Sequence, residues 1–280
     1  MLLSDAQLPP DLLYKLKVLW LCFEDYNNEK GTLPFDFFHR VPNLEHFILQ
    51  TCSGVKEIFP AQKPQVHDTI FKGLKQLFLN VVPDLDWVGL EHTWVQPYSE
   101  KLELLQLYHC RRVEKIVYCA VSFINLKELQ VVHCERMVYL FTFSTLKTLV
   151  KLETLIVGEC ESIKEIVKNE DEDGCDEIVF ERLTLIQLNC LPRLVSFYSG
   201  NATLQCSCLN NVLVTECPNM TTFSLGIINV TSFKNIHTSI EDSDLLLEND
   251  LNTVIEKSFH TKVRMHSPYS IVMFFCIWLI

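Results

Sequence analysis

Five cysteines, Cys52, Cys110, Cys134, Cys160 and Cys217, return along the chain each with an apolar residue three and six positions later, and two of them are preceded by histidine, His109 and His133. Thiols in such a series suggest three chemistries: a zinc site, disulfides, or a thiol activated by a neighbouring imidazole. Zinc needs ligands in matched close pairs, and Cys206-x-Cys208 is the one close pair, with no second to complete it. No H-E-x-x-H, G-x-S-x-G or Cys-x-x-Cys occurs among the nine histidines and twelve cysteines. No catalytic, cofactor-binding or metal-ligating residue is assigned from these spacings, and no enzyme is expected.

The cysteines belong to a larger pattern. In LETLIVGECESIKEIV, residues 152–167, apolar side chains fall at Leu152, Leu155, Val157, Cys160, Ile163 and Ile166. The same spacing recurs at Leu102, Leu105, Leu107, Cys110, Val113 and Ile116, and again from Leu126 to Leu140 through Cys134. The unit is L-x-x-L-x-L-x-x-C-x-x-L-x-x-I, with other apolar residues admitted at each slot. Units begin at Leu16, Leu44, Leu74, Leu102, Leu126, Leu152, Leu183 and Leu209, at intervals of 28, 30, 28, 24, 26, 31 and 26 residues. That period is at or just beyond the range of leucine-rich repeats.

The pattern dictates the coil. In L-x-x-L-x-L the last apolar positions alternate, so a short strand turns one face inward. Past the cysteine slot the apolar step is three residues, which suits 3₁₀ or extended turns better than a long helix. Leu191-Pro-Arg-Leu194 and Cys217-Pro-Asn-Met220 place proline inside these arms, in agreement. About six apolar side chains per coil cannot repay the ordering of about 26 residues, so coils must stack. The expected fold is an α/β repeat solenoid: a leucine-rich-repeat horseshoe with a parallel β-sheet on its concave face and irregular or 3₁₀ outer arms. Residues 1–224 hold the array and 225–280 a non-repeat C-terminal cap or tail. The slot cysteines are then small core side chains with a weak S–H donor aimed at a buried carbonyl, replaceable by Val82 and Leu191.

The third, fifth and seventh positions of each unit face out of the concave sheet. The fifth forms a column: Trp20, Ile48, Phe78, Gln106, Gln130, Ile156, Gln187 and Leu213, flanked by His46, Gln50, Gln76, Asn80, Tyr108, Glu128 and Asn189. Aromatic, amide and aliphatic groups together suit protein recognition. Tyr108 and the column are the candidate protein-binding residues.

Composition narrows the partners. Net charge is −11, so nucleic acid is not an expected partner. Eight glycines form no phosphate-cradling motif, and no cofactor is expected. The N-terminus lacks the basic start and unbroken apolar run of a signal peptide, which points to a reduced, cytoplasmic setting. Lys168–Glu177, KNEDEDGCDE, carries six acids in ten residues and must project as a loop. Ser239–Lys262 places Leu245, Leu246, Leu251, Val254 and Ile255 at helical spacing, as a cap would. The run IVMFFCIWLI, Ile271–Ile280, is shorter than the ~20 residues of a spanning helix, and a membrane is not an expected partner. The first unit begins at Leu16 with no polar cap before it, as in a piece of a longer array.

LKVLWLCFED (Leu16–Asp25), PFDFFHRVPNLEHF (Pro34–Phe47), the repeated C-x-x-[VIM]-x-x-[ILF] arms and DLNTVIEKSF (Asp250–Phe259) resemble the C-terminal repeat region of plant coiled-coil, nucleotide-binding, leucine-rich-repeat disease-resistance proteins. The likeness runs over residues 8–260. It implies a protein partner: a pathogen effector, a guarded host protein, or the nucleotide-binding module of a receptor. The coiled coil and nucleotide-binding module are missing from this sequence, so ATP-driven switching does not carry over; recognition or regulation in trans, or a truncated gene product, does. The other array considered is the substrate-recognition repeat of F-box ubiquitin ligases. Its cysteine is followed by an Asp and a helix, where Cys160 here precedes ESIKEIV.

Overall fold

Alternating apolar residues that cannot be buried within one coil are buried between coils. A computed structural model describes residues 13–23, 33, 35–38, 40–61, 71–117, 121–170, 177–230, 235–238 and 251–264. Nine parallel strands stand side by side in chain order: Val18–Phe23, His46–Cys52, Gln76–Asn80, Leu104–Tyr108, Glu128–Val132, Thr154–Gly158, Leu185–Asn189, Asn211–Thr215 and Asn235–Thr238. The first eight belong to the eight sequence units, called coils 1 to 8. The chain is therefore a parallel β-solenoid of the leucine-rich-repeat kind, as its period requires.

Each unit slot becomes a stripe of core. At the cysteine slot Cys52, Val82, Cys110, Cys134, Cys160, Leu191 and Cys217 are all buried, and so are Val113, Met137 and Ile163 three residues on. The turn after the slot closes with N–H to C=O bonds three residues back, from Val113 to Cys110, Met137 to Cys134 and Leu194 to Leu191 at 3.1–3.3 Å. Those are 3₁₀-type turns, and they accommodate Pro192 and Pro218 because the second turn position needs no N–H. The arms continue into short parallel strands such as Glu165–Lys168 and Ser196–Tyr198. No arm helix longer than four residues occurs in the described part of the array, which leaves the F-box type of repeat without support.

The slot thiols bind the coils together. Cys52 Sγ lies 3.4 Å from the carbonyls of Leu21, one coil back, and Gln50, two residues back. Cys110 repeats this with Leu79 and Tyr108, both at 3.6 Å, and Cys217 with Leu188 and Thr215 at 3.7 and 3.3 Å. One weak S–H donor thus lies within reach of two carbonyls, one in its own turn and one in the coil before.

The residue before the slot carries the turn. Thr51, Val81, His109, His133, Glu159, Cys190 and Glu216 all sit at φ 50–55°. This left-handed conformation is costly for any residue with a Cβ and most of all for β-branched Thr and Val. It persists because it aims the N–H at the next coil: Val81 donates to Tyr108, His109 to Val132, His133 to Gly158 and Glu159 to Asn189, at 2.9–3.0 Å.

The sheet runs past Ser224, where the apolar period ends. Asn235–Thr238 pairs with Asn211–Thr215, Ile236 opposite Val212 and Thr238 opposite Val214. A threonine in the last core slot hides this rung from a hydrophobic pattern. Helix Leu251–Arg264 then buries Leu251, Val254 and Ile255. Its Asn252 amide oxygen lies within 3.0 Å of the Thr222 hydroxyl and of the Phe223 and Ser224 N–H groups, pinning the helix to the last arm. Leu245, Leu246, the middle of the acidic loop at 171–176, and Ile271–Ile280 lie outside the described residues.

Val81→Asn keeps the N–H bond to Tyr108 and replaces a β-branched residue by one that tolerates the left-handed region. It is expected to stabilise the chain by about 1 kcal/mol in urea unfolding, since left-handed strain costs roughly 1–2 kcal/mol.

Candidate functional site: the concave sheet and its two rims

The fifth-position residues form one unbroken row. Trp20 pairs in register with Ile48, Ile48 with Phe78, and Phe78 with Gln106. Gln106 pairs with Gln130, Gln130 with Ile156, Ile156 with Gln187, and Gln187 with Leu213. All face away from the core. Trp20 is 62% exposed on the first strand, an exposure that leaves most of its ring for solvent or a partner. Ile48 to Leu213 are half-buried by their neighbours along the row.

The middle of the row is already organised. Gln106 donates to the Glu128 carboxylate at 3.3 Å, Gln130 donates to the same carboxylate, and the Tyr108 hydroxyl donates to the Gln130 carbonyl. Nearer the N-terminal end His46 and Gln76 are hydrogen-bonded at 2.6 Å; toward the other end the Thr215 hydroxyl donates to Asn189 at 2.6 Å. All but the Gln130–Glu128 bond, which lies within one strand, run between coils, so side-chain freedom is lost on folding and need not be lost again on binding.

Two rims border the sheet. Where strands begin, second-position residues alternate in sign: Lys17, Glu45, Lys75, Glu103, Lys127 and Glu153. Glu45 accepts from Lys17 at 2.7 Å and Lys75 at 2.9 Å, and these two ammonium groups hold its carboxyl down to about 2. Where strands end, the left-handed residues make the other rim. His109 and His133 stack with ring centroids 4.2 Å apart, and His133 Nε2 reaches Glu159 at 3.0 Å. Arg111 meets Glu135 at 3.1 Å, and the Cys190 thiol donates to Glu216 at 3.1 Å. Along coils 5 to 8 this rim encloses a groove of about 590 Å³ lined by His133, Glu135, Glu159, Glu161, Cys190, Pro192, Glu216 and Pro218. Sequence reasoning singled out only His109 and His133 here. The signal for the rest was the pair of residues on either side of each slot, Glu159, Cys190 and Glu216 before it and Glu135, Glu161, Pro192 and Pro218 after it, whose direction depends on a left-handed turn that apolar periodicity does not reveal.

The geometry separates thiols from imidazoles. His109 and His133 stand on the rim, whereas Cys110 and Cys134 point inward at the Leu79 and Leu107 carbonyls. Contact with the Cys110 thiol, together with burial, pushes the Cys134 thiol well above the ordinary range, and contact with Cys134 and burial do the same to Cys160. Cys206 is buried and pushed up to about 12, while Cys208 is exposed, so that close pair diverges. Among the described residues every cysteine is free, and no three His, Cys, Asp or Glu converge as metal ligands. No helix among them is long and apolar enough to cross a membrane.

Residues 115–230 match a family described as plant disease resistance protein RPS2-like, leucine-rich repeats. A probable disease resistance protein of Arabidopsis thaliana is 27% identical over 154 residues, 54% of this chain. The chain covers 14% of that relative's length. The resemblance carried by the sequence motifs, to the repeat region of plant resistance proteins, is thereby supported from two directions.

Two outcomes follow. Alkylation with iodoacetamide under native conditions, mapped by mass spectrometry, should label Cys22 and Cys208 and leave Cys52, Cys110, Cys134, Cys160 and Cys217 unlabelled until the chain is denatured. Burial, then the charges of His133 and Arg111, lowers the His109 pKa below 6.5 against the opposing pull of Glu159 and Glu135. A depressed histidine favours the unfolded chain on protonation, so its contribution is full above pH ~6.5 and lost as pH falls through the folded value. The fall in Tm between about pH 7.5 and 5.5 should be smaller in His109→Gln than in wild type.

Proposed function

We propose that this repeat region is a protein-recognition surface of a plant immune receptor of the disease-resistance type, acting in the cytoplasm through its concave sheet and performing no catalysis. The observation that carries the reading is the continuous outward row from Trp20 to Leu213 on strands locked in register. Trp20 and Phe78 are the large anchors; a buried aromatic ring covers roughly 150–250 Å² and dominates the energetics of an interface. The Gln106–Glu128–Gln130–Tyr108 cluster supplies direction, because a partner must match donors and acceptors that are already committed in part. The partner is a protein: an effector, a guarded host protein, or the nucleotide-binding module of a receptor. The likeness to resistance-protein repeats supports a role in defence.

Wild type and a Trp20→Ala/Phe78→Ala/Gln106→Ala variant, each immobilised and exposed to plant extract, test the reading. None of the three side chains is in the core, so the variant should melt within a few degrees of wild type. Partners recovered by wild type should fall about tenfold or more, given hot-spot losses of ~2 kcal/mol per anchor. Equal recovery by both proteins would refute the concave-face assignment.

A further inference from the structure

The concave floor is nearly free of charge. Coils 1 to 8 place twenty-four residues at the third, fifth and seventh positions, and Glu128 is the one acid among them, with no lysine or arginine. At the chain's charged fraction of 21%, about five charges would stand there. Even Glu128 is engaged by the amides of Gln106 and Gln130. Depletion of charge is the compositional mark of the desolvated centre of an interface, where an unmatched ion would have to give up its water.

The two rims differ in what they leave over. On the strand-start side lysine and glutamate alternate coil by coil, and Glu45 pairs with Lys17 and Lys75, and Glu103 with Lys127, at 2.7–2.9 Å. That edge cancels its own field. On the strand-end side, the groove of coils 5 to 8 holds four carboxylates, Glu135, Glu159, Glu161 and Glu216, and no lysine or arginine. Arg111 answers Glu135 from coil 4, and the nearby Arg112 and Arg136 turn outward to Asp86 and Glu114. The stacked imidazoles of His109 and His133 stand at the same rim, and His133 reaches one of the four carboxylates, Glu159, at 3.0 Å. The sheet is therefore neutral in its middle, balanced along one edge and negative along half of the other.

Resting on the concave-face reading above, we infer that the partner is a protein whose contacting surface is uncharged and is bordered on one side by lysine or arginine, docked so that this basic border lies over Glu135–Glu216. A partner turned end for end would set its cations against the self-paired edge and leave the four carboxylates facing uncharged surface. The rim therefore fixes orientation, as peripheral charges do, and the floor supplies the buried area. Rim charges lie within reach of salt, so the orientation term weakens as ionic strength rises.

A random 15-residue peptide library displayed on phage, selected on the immobilised full chain, provides the probe. Clones that lose about tenfold or more in affinity against Trp20→Ala/Phe78→Ala bind the floor. Among these, lysine and arginine should exceed aspartate and glutamate relative to the unselected library. Their affinity should fall about fivefold or more against Glu159→Gln/Glu161→Gln/Glu216→Gln, change less than about twofold against Lys17→Gln/Glu45→Gln/Lys75→Gln, and decline with added salt. Thermal melts of the rim variants within a few degrees of wild type establish that they are folded. Floor-dependent clones with no excess of cations, or indifferent to the acidic-rim variant, overturn the inference and leave the recognition reading standing. Clones indifferent to the floor variant, or a selection that yields no clones, overturn both.

Discussion

A coil of this chain has no interior until another coil lies against it. Its apolar side chains project into a flat slab one strand spacing thick, about 4.8 Å, and only a neighbour in register can take them out of water. Everything else follows from that demand. Registered stacking requires that strands be parallel, that turns occupy the same place in every coil, and that the residue at each turn point its N–H along the stack. The seven left-handed residues from Thr51 to Glu216 are the cost of this arrangement, and the bonds that Val81, His109, His133, Glu159 and Cys190 donate to the next coil offset it.

Stacking also converts a sequence period into a surface. A side chain at the fifth position of one unit is brought beside the fifth position of the next, about one strand spacing away, although some 24 to 31 residues separate them in the chain. The row from Trp20 to Leu213 and the charge ladder from Lys17 to Glu153 are two readings of one geometric fact. The slot thiols show the same economy inside: each reaches a carbonyl of its own turn and a carbonyl one coil back, so the turn and the stacking are secured by one small side chain.

Much of this was legible in the amino-acid order because the governing term, burial, leaves a periodic trace. The core slots, the buried cysteines, their replacement by Val82 and Leu191, and the outward row all follow from alternation and a repeat near 26 residues. Three features were hidden, each for a physical reason. The ninth strand carries Thr238 opposite Val214, so the apolar alternation that marks the other rungs is broken there. The strand-end groove depends on a backbone turn of opposite hand, which puts on the rim the residue before the slot that strict alternation would point inward. Helix Leu251–Arg264 showed its apolar face, yet its anchorage through Asn252 joins residues 28–30 positions apart by side-chain chemistry that spacing does not encode.

The central claim, that coils stack in register and deliver their fifth-position residues to one row, is tested most directly by a distance across the stack. Spin labels at residues 78 and 213, in a chain with Cys22 and Cys208 replaced by serine, lie five rungs apart along the row. Pulsed dipolar spectroscopy should give one narrow distribution near 24 Å, five spacings of about 4.8 Å, shortened slightly by curvature. A broad distribution, or a main distance beyond about 35 Å, would contradict the stacked register on which the surface depends.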